Sequence, residues 1–267
     1  MPPAILTFNV IGTYPYPYAT AGAGTALTVC RFNNDPVLGF LTQTPYDEDI
    51  VYLSLHLSLS NEIGRIPNPP GENVITGMAY DRAENLIWAV QAYGATGTLI
   101  GFDPNTGAVV QTVSVPSTVL CQGLAYNGLF FVRATPTELQ AISKAGTVLG
   151  TLAVPARASI ADITASFFSY VASDTGRNRL LVFGPFGEVI GICTAPPGAP
   201  RGIQGVAFDN LLDMTQVSQL PTVDGSWGAV GTPFHPDTPW APTPFLIRHN
   251  VYLANELDQT IYFGYFV

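Results

Sequence analysis

Charged residues are scarce in this sequence. Only 11% of the 267 residues are Asp, Glu, Lys or Arg, against roughly 25% in typical soluble domains. The 10 basic residues are outnumbered by 19 acidic ones and form no stripe, so binding to nucleic acid is not expected. The excess of acidic residues is explained by solubility alone. A neutral surface rich in Gly and Pro is also expected of a subunit packed among other protein subunits.

Cysteine is nearly absent, and long apolar runs are missing. Cys30, Cys121 and Cys193 lie far apart and show no metal-binding spacing. We therefore expect three buried thiols, with no disulfide framework, no metal and no cofactor. No stretch of about 20 apolar residues is present, so no membrane span is predicted. The N-terminus has no basic segment before its short apolar run, which predicts synthesis in a cytoplasm without a signal peptide.

One short pattern recurs along the chain: a glycine, an apolar residue, an alanine and an aromatic residue. Its copies lie at 77–81, 123–127 and 205–209, with a degenerate copy at 163–166. Three apolar runs that end at proline recur in phase with it, at Pro116, Pro155 and Pro196. Two independent features with the same period, about 40 residues, indicate an internal repeat.

Each repeat holds four short runs rich in β-branched and aromatic residues, which is typical of strands. In the best-preserved unit these runs are 75–80, 86–91, 98–102 and 109–115. Residues 103–107 read Asp-Pro-Asn-Thr-Gly, a hairpin-turn composition, with counterparts at 143–146 and 184–187. Four strands in about 40 to 45 residues is the pattern of a β-propeller blade.

The sequence therefore predicts an all-β fold, a single β-propeller domain spanning 1–267. Dividing the length of the chain by the length of the repeat gives about six four-stranded blades. The predicted blades are 18–69, 70–115, 116–155, 156–196, 197–239, and 240–267 joined to 1–17. The N-terminal strand, Ala4–Gly12, is predicted to complete the last blade and close the ring, which removes an open sheet edge. Residues 210–244 fit a blade poorly, and five blades is the alternative.

One segment of the chain resembles a known repeat family. Residues 170–183 read Tyr-Val-Ala-Ser-Asp-Thr-Gly-Arg-Asn-Arg-Leu-Leu-Val-Phe, which resembles the NHL repeat. Residues 251–262 look like the related repeat of YncE-like propellers. The resemblance implies the propeller fold, with Asp174 and Asn178 tying a turn between strands. It implies no single activity, because such propellers include lyases, lactonases and binding modules.

In such propellers each inner strand begins at the mouth of the central channel. The polar residues predicted there are Thr76, Gln122, Asp162 and Gln204, as candidate ligands for a small molecule or metal. Alternatively, they satisfy one another and channel water. Metal-dependent lactonases, which the fold resembles, use several acids and asparagines at these positions, whereas only Asp162 is acidic here. The candidates for catalysis are Asp162 and His249.

Aromatic residues stand beside prolines in two segments. One is Tyr14-Pro15-Tyr16-Pro17-Tyr18, and the other contains Phe234 and Trp240. Stiff aromatic segments favour protein interfaces, although the tyrosines would equally serve to cap the closing blade. A glycan-binding propeller is a further alternative, in which Trp227 or Trp240 stacks on a sugar ring.

These features favour a non-enzymatic structural or protein-binding propeller over an enzyme. Its most specific form is a phage virion component, either a capsid-decorating protein or a tail protein. Such proteins are made without a signal peptide and carry little charge. A lyase or lactonase that uses the channel mouth is the alternative from another class.

Overall fold

A computed structural model of the chain describes residues 2–15, 26–43, 48–55, 58–67, 75–91, 96–116, 121–135, 137–166, 169–184, 187–196, 202–208, 251–255 and 258–267. Within these residues it contains 21 β-strands and no helix. Accordingly, this part of the chain offers no helix with the length and apolarity needed to cross a membrane.

The strands form five sheets, here called blades 1 to 5. Blade 1 contains β3 (Leu27–Phe32), β4 (Asp35–Gln43), β5 (Glu48–Ser54) and β6 (Ser58–Ile66). Blade 2 contains β7 (Ile75–Asp81), β8 (Leu86–Gln91), β9 (Thr96–Phe102) and β10 (Val109–Pro116). Blade 3 contains β11 (Gly123–Tyr126), β12 (Phe131–Ala134), β13 (Glu138–Ile142) and β14 (Val148–Ala153).

The last two blades also take strands from the N-terminus. Blade 4 contains β15 (Ile160–Ser166), β16 (Ser169–Asp174), β17 (Arg179–Phe183), β18 (Val189–Thr194) and the added strand β1 (Ala4–Leu6). Blade 5 contains β19 (Ile203–Phe208), β20 (Val251–Asn255), β21 (Thr260–Phe266) and β2 (Phe8–Pro15). All pairings within the blades are antiparallel except that of β1 with β18.

The first strand of each blade lies at the centre of a closed ring. These inner strands contact one another in the order β3, β7, β11, β15 and β19, and β19 contacts β3 again. The prediction of an all-β propeller is confirmed, and the ring has five blades rather than six. The six-blade prediction is wrong because strands from the predicted units 197–239 and 240–267 share one sheet. Residues 209–250, which separate those strands, lie outside the described residues.

The N-terminal segment closes the ring, as predicted. The predicted outer strand, Ala4–Gly12, is divided in two at Thr7. Its second part belongs to β2, which pairs with β21 as the outer strand of blade 5. Its first part is β1, which pairs in parallel with β18 of blade 4. At the junction, the Thr7 amide donates to the Val267 carbonyl oxygen at 3.0 Å, and the Val267 amide donates back at 2.8 Å.

The hydrophobic core is divided among the contacts between blades. Each of its five clusters joins buried residues of two consecutive blades, including the closing contact of blade 5 with blade 1. The three cysteines are free and buried in these clusters, which confirms the prediction of three buried thiols. Burial raises the pKa of the Cys121 thiol to about 11 and that of Cys193 to about 12. Both thiols are therefore protonated at neutral pH.

The predicted hairpin turn after β9 is present. The Asp103 carboxylate accepts the amide hydrogens of Asn105 at 2.7 Å and of Thr106 at 3.1 Å. The next residue, Gly107, has a φ of 72°, which glycine adopts without steric cost. This turn reverses the chain, so that β10 pairs antiparallel with β9 as the outer strand of blade 2.

Candidate functional site

The inner strands approach the axis of the ring through one repeated position. In blades 2 and 5 this position is Gly77 and Gly205, and each follows a one-residue irregularity in strand pairing. The same irregularity in blade 4 leaves Asp162 at the repeated position. A Cβ atom added to Gly123 of blade 3 would lie 2.7 Å from the Cα atom of Asp162. Blades 3 and 4 therefore approach so closely that only glycine fits there.

The carboxyl group of Asp162 joins three blades at this position. Its Oδ1 atom accepts the amide hydrogen of Ile163 at 2.8 Å, and its Oδ2 atom accepts that of Val206 in blade 5 at 3.0 Å. The backbone amide of Leu27 in blade 1 also favours the charged form of this carboxyl group. Asp162 is fully buried, and desolvation raises its pKa well above the usual range, although the three amides oppose this effect. The contacts of this carboxyl group therefore hold the ring together.

Two other predicted channel-mouth positions, Thr76 and Gln204, also join neighbouring blades. The Thr76 hydroxyl donates to the carbonyl oxygen of Cys121 in blade 3 at 2.7 Å. The Ser173 hydroxyl of blade 4 donates to the carbonyl oxygen of Gln204 in blade 5 at 3.1 Å. The buried Oε1 atom of Gln122 has no hydrogen-bond partner among the described residues. Ligand binding at these positions stays a prediction.

The strand register in blade 4 shows that Asp162 stands one residue later in the repeat than the sequence analysis assigned it. Thr76 and Gln204 are the extra residues of the strand irregularities that precede the repeated glycine. Their counterpart in blade 4 is Ala161, because Asp162 itself stands where the other strands have glycine. Sequence alignment placed Asp162 with Thr76 because the degenerate copy in blade 4 lacks the glycine that marks the phase.

A buried arginine near the inner strand of blade 3 was missed by sequence reasoning. Arg133 is only 1% exposed and pairs in register with Leu124 of β11. Its Nε atom donates to Oε1 of Gln140 at 2.6 Å, and Nε2 of Gln140 donates to the Glu138 carboxylate. Burial lowers the pKa of the Arg133 guanidinium, while Cys121 and Glu138 act to raise it. This row of side chains orients the Glu138 carboxylate at the start of β13.

One signal for that row was present in the sequence. A charged residue interrupts the apolar run at 130–134, and strand alternation places Arg133 on the same side as the fully buried Phe131. A charged side chain is rarely buried unless it is paired, so polar partners were to be expected on the next strand. Among the described residues, no group of three or more His, Cys, Asp or Glu is placed to hold a metal ion.

Most of the predicted aromatic and catalytic candidates lie outside the described residues. These are Tyr16, Tyr18, Trp227, Phe234, Trp240 and His249. Tyr14 is described: it is half-buried and packs against the cluster between blades 5 and 1. That packing agrees with the capping alternative for Tyr14. An interface role for the aromatic segments stays a prediction.

The NHL-like turn is tied by Asp174, as the resemblance implies. Oδ1 of Asp174 accepts the amide hydrogen of Ser159 at 2.9 Å, and Oδ2 accepts that of the Arg179 Nε atom at 2.8 Å. Asn178 has a φ of 50°, a conformation that asparagine adopts more readily than most residues. The turn is therefore anchored to the connection that enters blade 4.

The circumference of the ring carries a second repeated feature. Every outer strand holds one apolar residue that is left over between two paired positions: Ile11, Ile63, Val110, Leu149 and Ile190. Four of these side chains are exposed: Ile11 by 58%, Ile63 by 36%, Val110 by 57% and Leu149 by 59%. The fifth, Ile190, is half-buried and packs against the cluster between blades 4 and 5.

This outer feature is visible in the sequence. A proline follows each of the five bulged residues at the sixth position: Pro17, Pro69, Pro116, Pro155 and Pro196. Only the last three were recognised as a repeat. The complete set has five members, the number of blades in the ring.

The outer strands differ in how their open edges are protected. In β6, Arg65 binds the Asp49 carboxylate at 2.8 Å and the Glu62 carboxylate at 3.1 Å. Charged residues on an edge strand discourage pairing with other chains. By contrast, β10 reads VVQTVSVP and β14 reads VLGTLA, with no charged residue in either. Blades 2 and 3 thus present neutral edges with an exposed apolar residue.

No family model and no curated protein sequence matches the chain. Among solved structures, it is similar to the glutaminyl cyclase of Myxococcus xanthus, with 15% identity and a TM-score of 0.63, covering 99% of this chain and 98% of that one. It also matches virginiamycin B lyase of Staphylococcus aureus, with 10% identity and a TM-score of 0.47, covering 90% of this chain and 65% of that one. Both are β-propeller proteins. The first match extends over the whole of both chains and supports the closed propeller fold.

Proposed function

We propose that this chain is a non-enzymatic binding propeller that works through protein contacts at its circumference. The observation that carries the proposal is the bulged apolar residue of the outer strands. It recurs in all five blades and is exposed in four. Side chains such as Val110 and Leu149 are not needed for packing within the blades, since more than half of each is exposed. An exposed apolar residue on the edge strand of a sheet favours contact with another chain.

The contacts at the axis also favour binding over catalysis at the channel mouth. Asp162 was the acidic group named for a channel enzyme. Its carboxyl group is buried, with both oxygens occupied by backbone amides. A general acid or base must reach the proton that it transfers. For Asp162 to do so, those amides would have to lose their acceptor.

The specific form of the proposal is a subunit of a large protein assembly, such as the capsid-decorating or tail protein of a phage. Its support is compositional. A surface poor in charge, with 11% charged residues in the chain, suits permanent contact with other subunits, because charged residues are depleted at the centres of interfaces.

Density-gradient fractionation of native material tests this function. The chain should sediment with a large particle and stay there in high salt, because apolar contacts are not screened by ions. Migration as a free chain of 28.4 kDa in both low and high salt would rule the function out. Release in high salt alone would show that the contacts are ionic and would contradict the role of the apolar circumference.

An enzyme is the second candidate, and one observation favours it. The similarity to a glutaminyl cyclase covers nearly all of both chains. The candidate group for such a site is Gln122, whose buried Oε1 atom has no hydrogen-bond partner among the described residues. Incubation with a peptide that begins with glutamine, with ammonia release as the readout, tests this candidate. Turnover that Gln122→Ala abolishes and Leu149→Asp preserves would favour the enzyme.

A further inference from the structure

The N-terminal strand shows how an outer edge of this propeller binds an extended segment. In β1, Ala4, Ile5 and Leu6 pair in parallel with Gly191, Ile192 and Cys193 of β18. The Leu6 side chain lies over Gly191, where an added Cβ atom would be 2.7 Å from the Leu6 Cδ1 atom. Because Gly191 has no side chain, it leaves space on the strand for the leucine side chain. This space over a glycine of the outer strand is called the seat below.

Blade 3 has the same seat. In blade 4 the bulged Ile190 is followed by Gly191, which pairs with Val182 of the neighbouring strand. In blade 3 the bulged Leu149 is followed by Gly150, which pairs with Ala141. The two outer strands thus share the bulge, the glycine and the register.

The seat in blade 3 is open, whereas those of other blades are covered. A Cβ atom added at Gly150 meets no atom of the described residues within 4 Å. At the equivalent glycine of blade 1, Gly64, the ring of Phe32 lies 2.3 Å from such an atom, and at Gly12 of blade 5 the Tyr14 ring lies 3.5 Å away. Blade 2 has Gln111 in place of the glycine. Among the described blades, the seat is both formed and uncovered only in blade 3.

We propose that the outer edge of blade 3 binds an extended apolar segment of a partner protein. The segment adds as a strand parallel to β14 and places an aliphatic side chain over Gly150, as Leu6 lies over Gly191. Strand addition supplies backbone hydrogen bonds, and a pocket for an alternate side chain supplies specificity. The absence of charge in β14 favours an apolar partner segment. This inference rests on the proposed function and names the surface and the kind of partner.

A labelled peptide with the sequence of residues 2–8, PPAILTF, tests the site when titrated into the purified full chain. The expected result is saturable binding that Gly150→Asp weakens about tenfold or more, because the new side chain fills the seat and adds charge to the edge. The matched control is Gln111→Asp, which adds the same charge at the equivalent position of blade 2 and should leave binding unchanged. A second probe, with aspartate in place of the peptide leucine, should bind at least about tenfold more weakly to the unaltered chain.

Several outcomes would overturn the assignment. They are the absence of peptide binding, equal binding by the Gly150→Asp protein, and equal loss in Gln111→Asp. A dimer of the chain that Gly150→Asp abolishes would make a second copy the occupant instead of a partner protein. The density gradient separates this site from the proposed function. If the chain sediments with a particle but binds no peptide, the function stands and the site in blade 3 falls.

Discussion

The centre and the circumference of this ring use polar and apolar groups in opposite ways. At the centre, the carboxyl group of Asp162 is fully buried and accepts amide hydrogens from Ile163 and Val206. At the circumference, the apolar side chains of Val110 and Leu149 are more than half exposed. In an ordinary soluble domain, carboxyl groups lie mostly outside and large apolar side chains mostly inside.

On the proposed function, the difference separates stability from binding. The buried polar groups at the axis have partners in neighbouring blades, so their loss would weaken the ring. The exposed apolar groups of the outer strands contribute little to folding and remain available to another protein. A propeller that binds a ligand in its channel would show the reverse. Its polar groups at the axis would have no hydrogen bonds to other blades, and its outer strands would be polar.

The largest effect is expected at the centre. Substitution Asp162→Ala leaves the amides of Ile163 and Val206 without their acceptor, and each buried unsatisfied group costs about 1–3 kcal/mol. We expect the free energy of unfolding, measured in urea, to fall by about 3 kcal/mol. The control Thr151→Ala, on an exposed strand, should change it by less than about 0.5 kcal/mol. If the two variants are equally stable, the carboxyl group does not hold the ring.

A smaller effect is expected where the N-terminal strand bridges the circumference of blade 4. Leu6 is 6% exposed, and its neighbour Ile5 is 79% exposed. Leu6→Ala should lower the free energy of unfolding by about 2 kcal/mol, through lost burial and a cavity, whereas Ile5→Ala should change it by less than about 0.5 kcal/mol. Thermal and urea unfolding both measure this pair. Equal effects would show that β1 does not dock on blade 4.

The dependence of stability on pH sharpens the account of the centre. Burial raises the pKa of folded Asp162 above its unfolded value of about 3.9. Its contribution is therefore complete below about pH 4 and is lost as pH rises through the folded pKa. Asp162→Asn keeps the shape and removes the titration. As the pH rises from about 4, the free energy of unfolding of the unaltered chain should decline relative to this variant until the folded pKa is passed. A difference that is constant with pH would contradict the assignment.

The smallest effect on folding is expected at the open edge. Leu149 and Ile190 are equivalent bulged residues, but only Ile190 packs against a core cluster. Leu149→Ser should change the free energy of unfolding by less than about 0.5 kcal/mol, and Ile190→Ser should lower it by about 1 kcal/mol. Urea denaturation distinguishes the two. A larger loss for Leu149→Ser would mean that its side chain is needed for the fold.

The repeat in the sequence predicted the propeller, and the hairpin turn at Gly107 was placed correctly because its chemistry is local. The number of blades was harder, because length divided by period treats residues 209–250 as a blade. The proline that follows each bulged residue would have corrected it, since Pro17 and Pro69 extend the series to five.

The candidate site was less accessible from the sequence. Asp162 was recognised, but its position within the repeat depends on a bulge that only the strand register shows. Arg133 was missed because its hydrogen bond to Gln140, and that of Gln140 to Glu138, form only in the folded sheet. The open seat at Gly150 depends on which side chains cover its counterparts in other blades, and no local pattern encodes that.

Co-sedimentation of two variants with the native particle shows whether the binding surface lies at the circumference or at the channel. Asp162→Asn alters the centre and keeps its shape, while Leu149→Asp alters only the circumference. The account predicts that folded Asp162→Asn protein sediments with the particle and that Leu149→Asp protein migrates as a free chain of 28.4 kDa. If Leu149→Asp protein stays with the particle and Asp162→Asn protein is released, the binding surface lies at the channel, and the account is wrong.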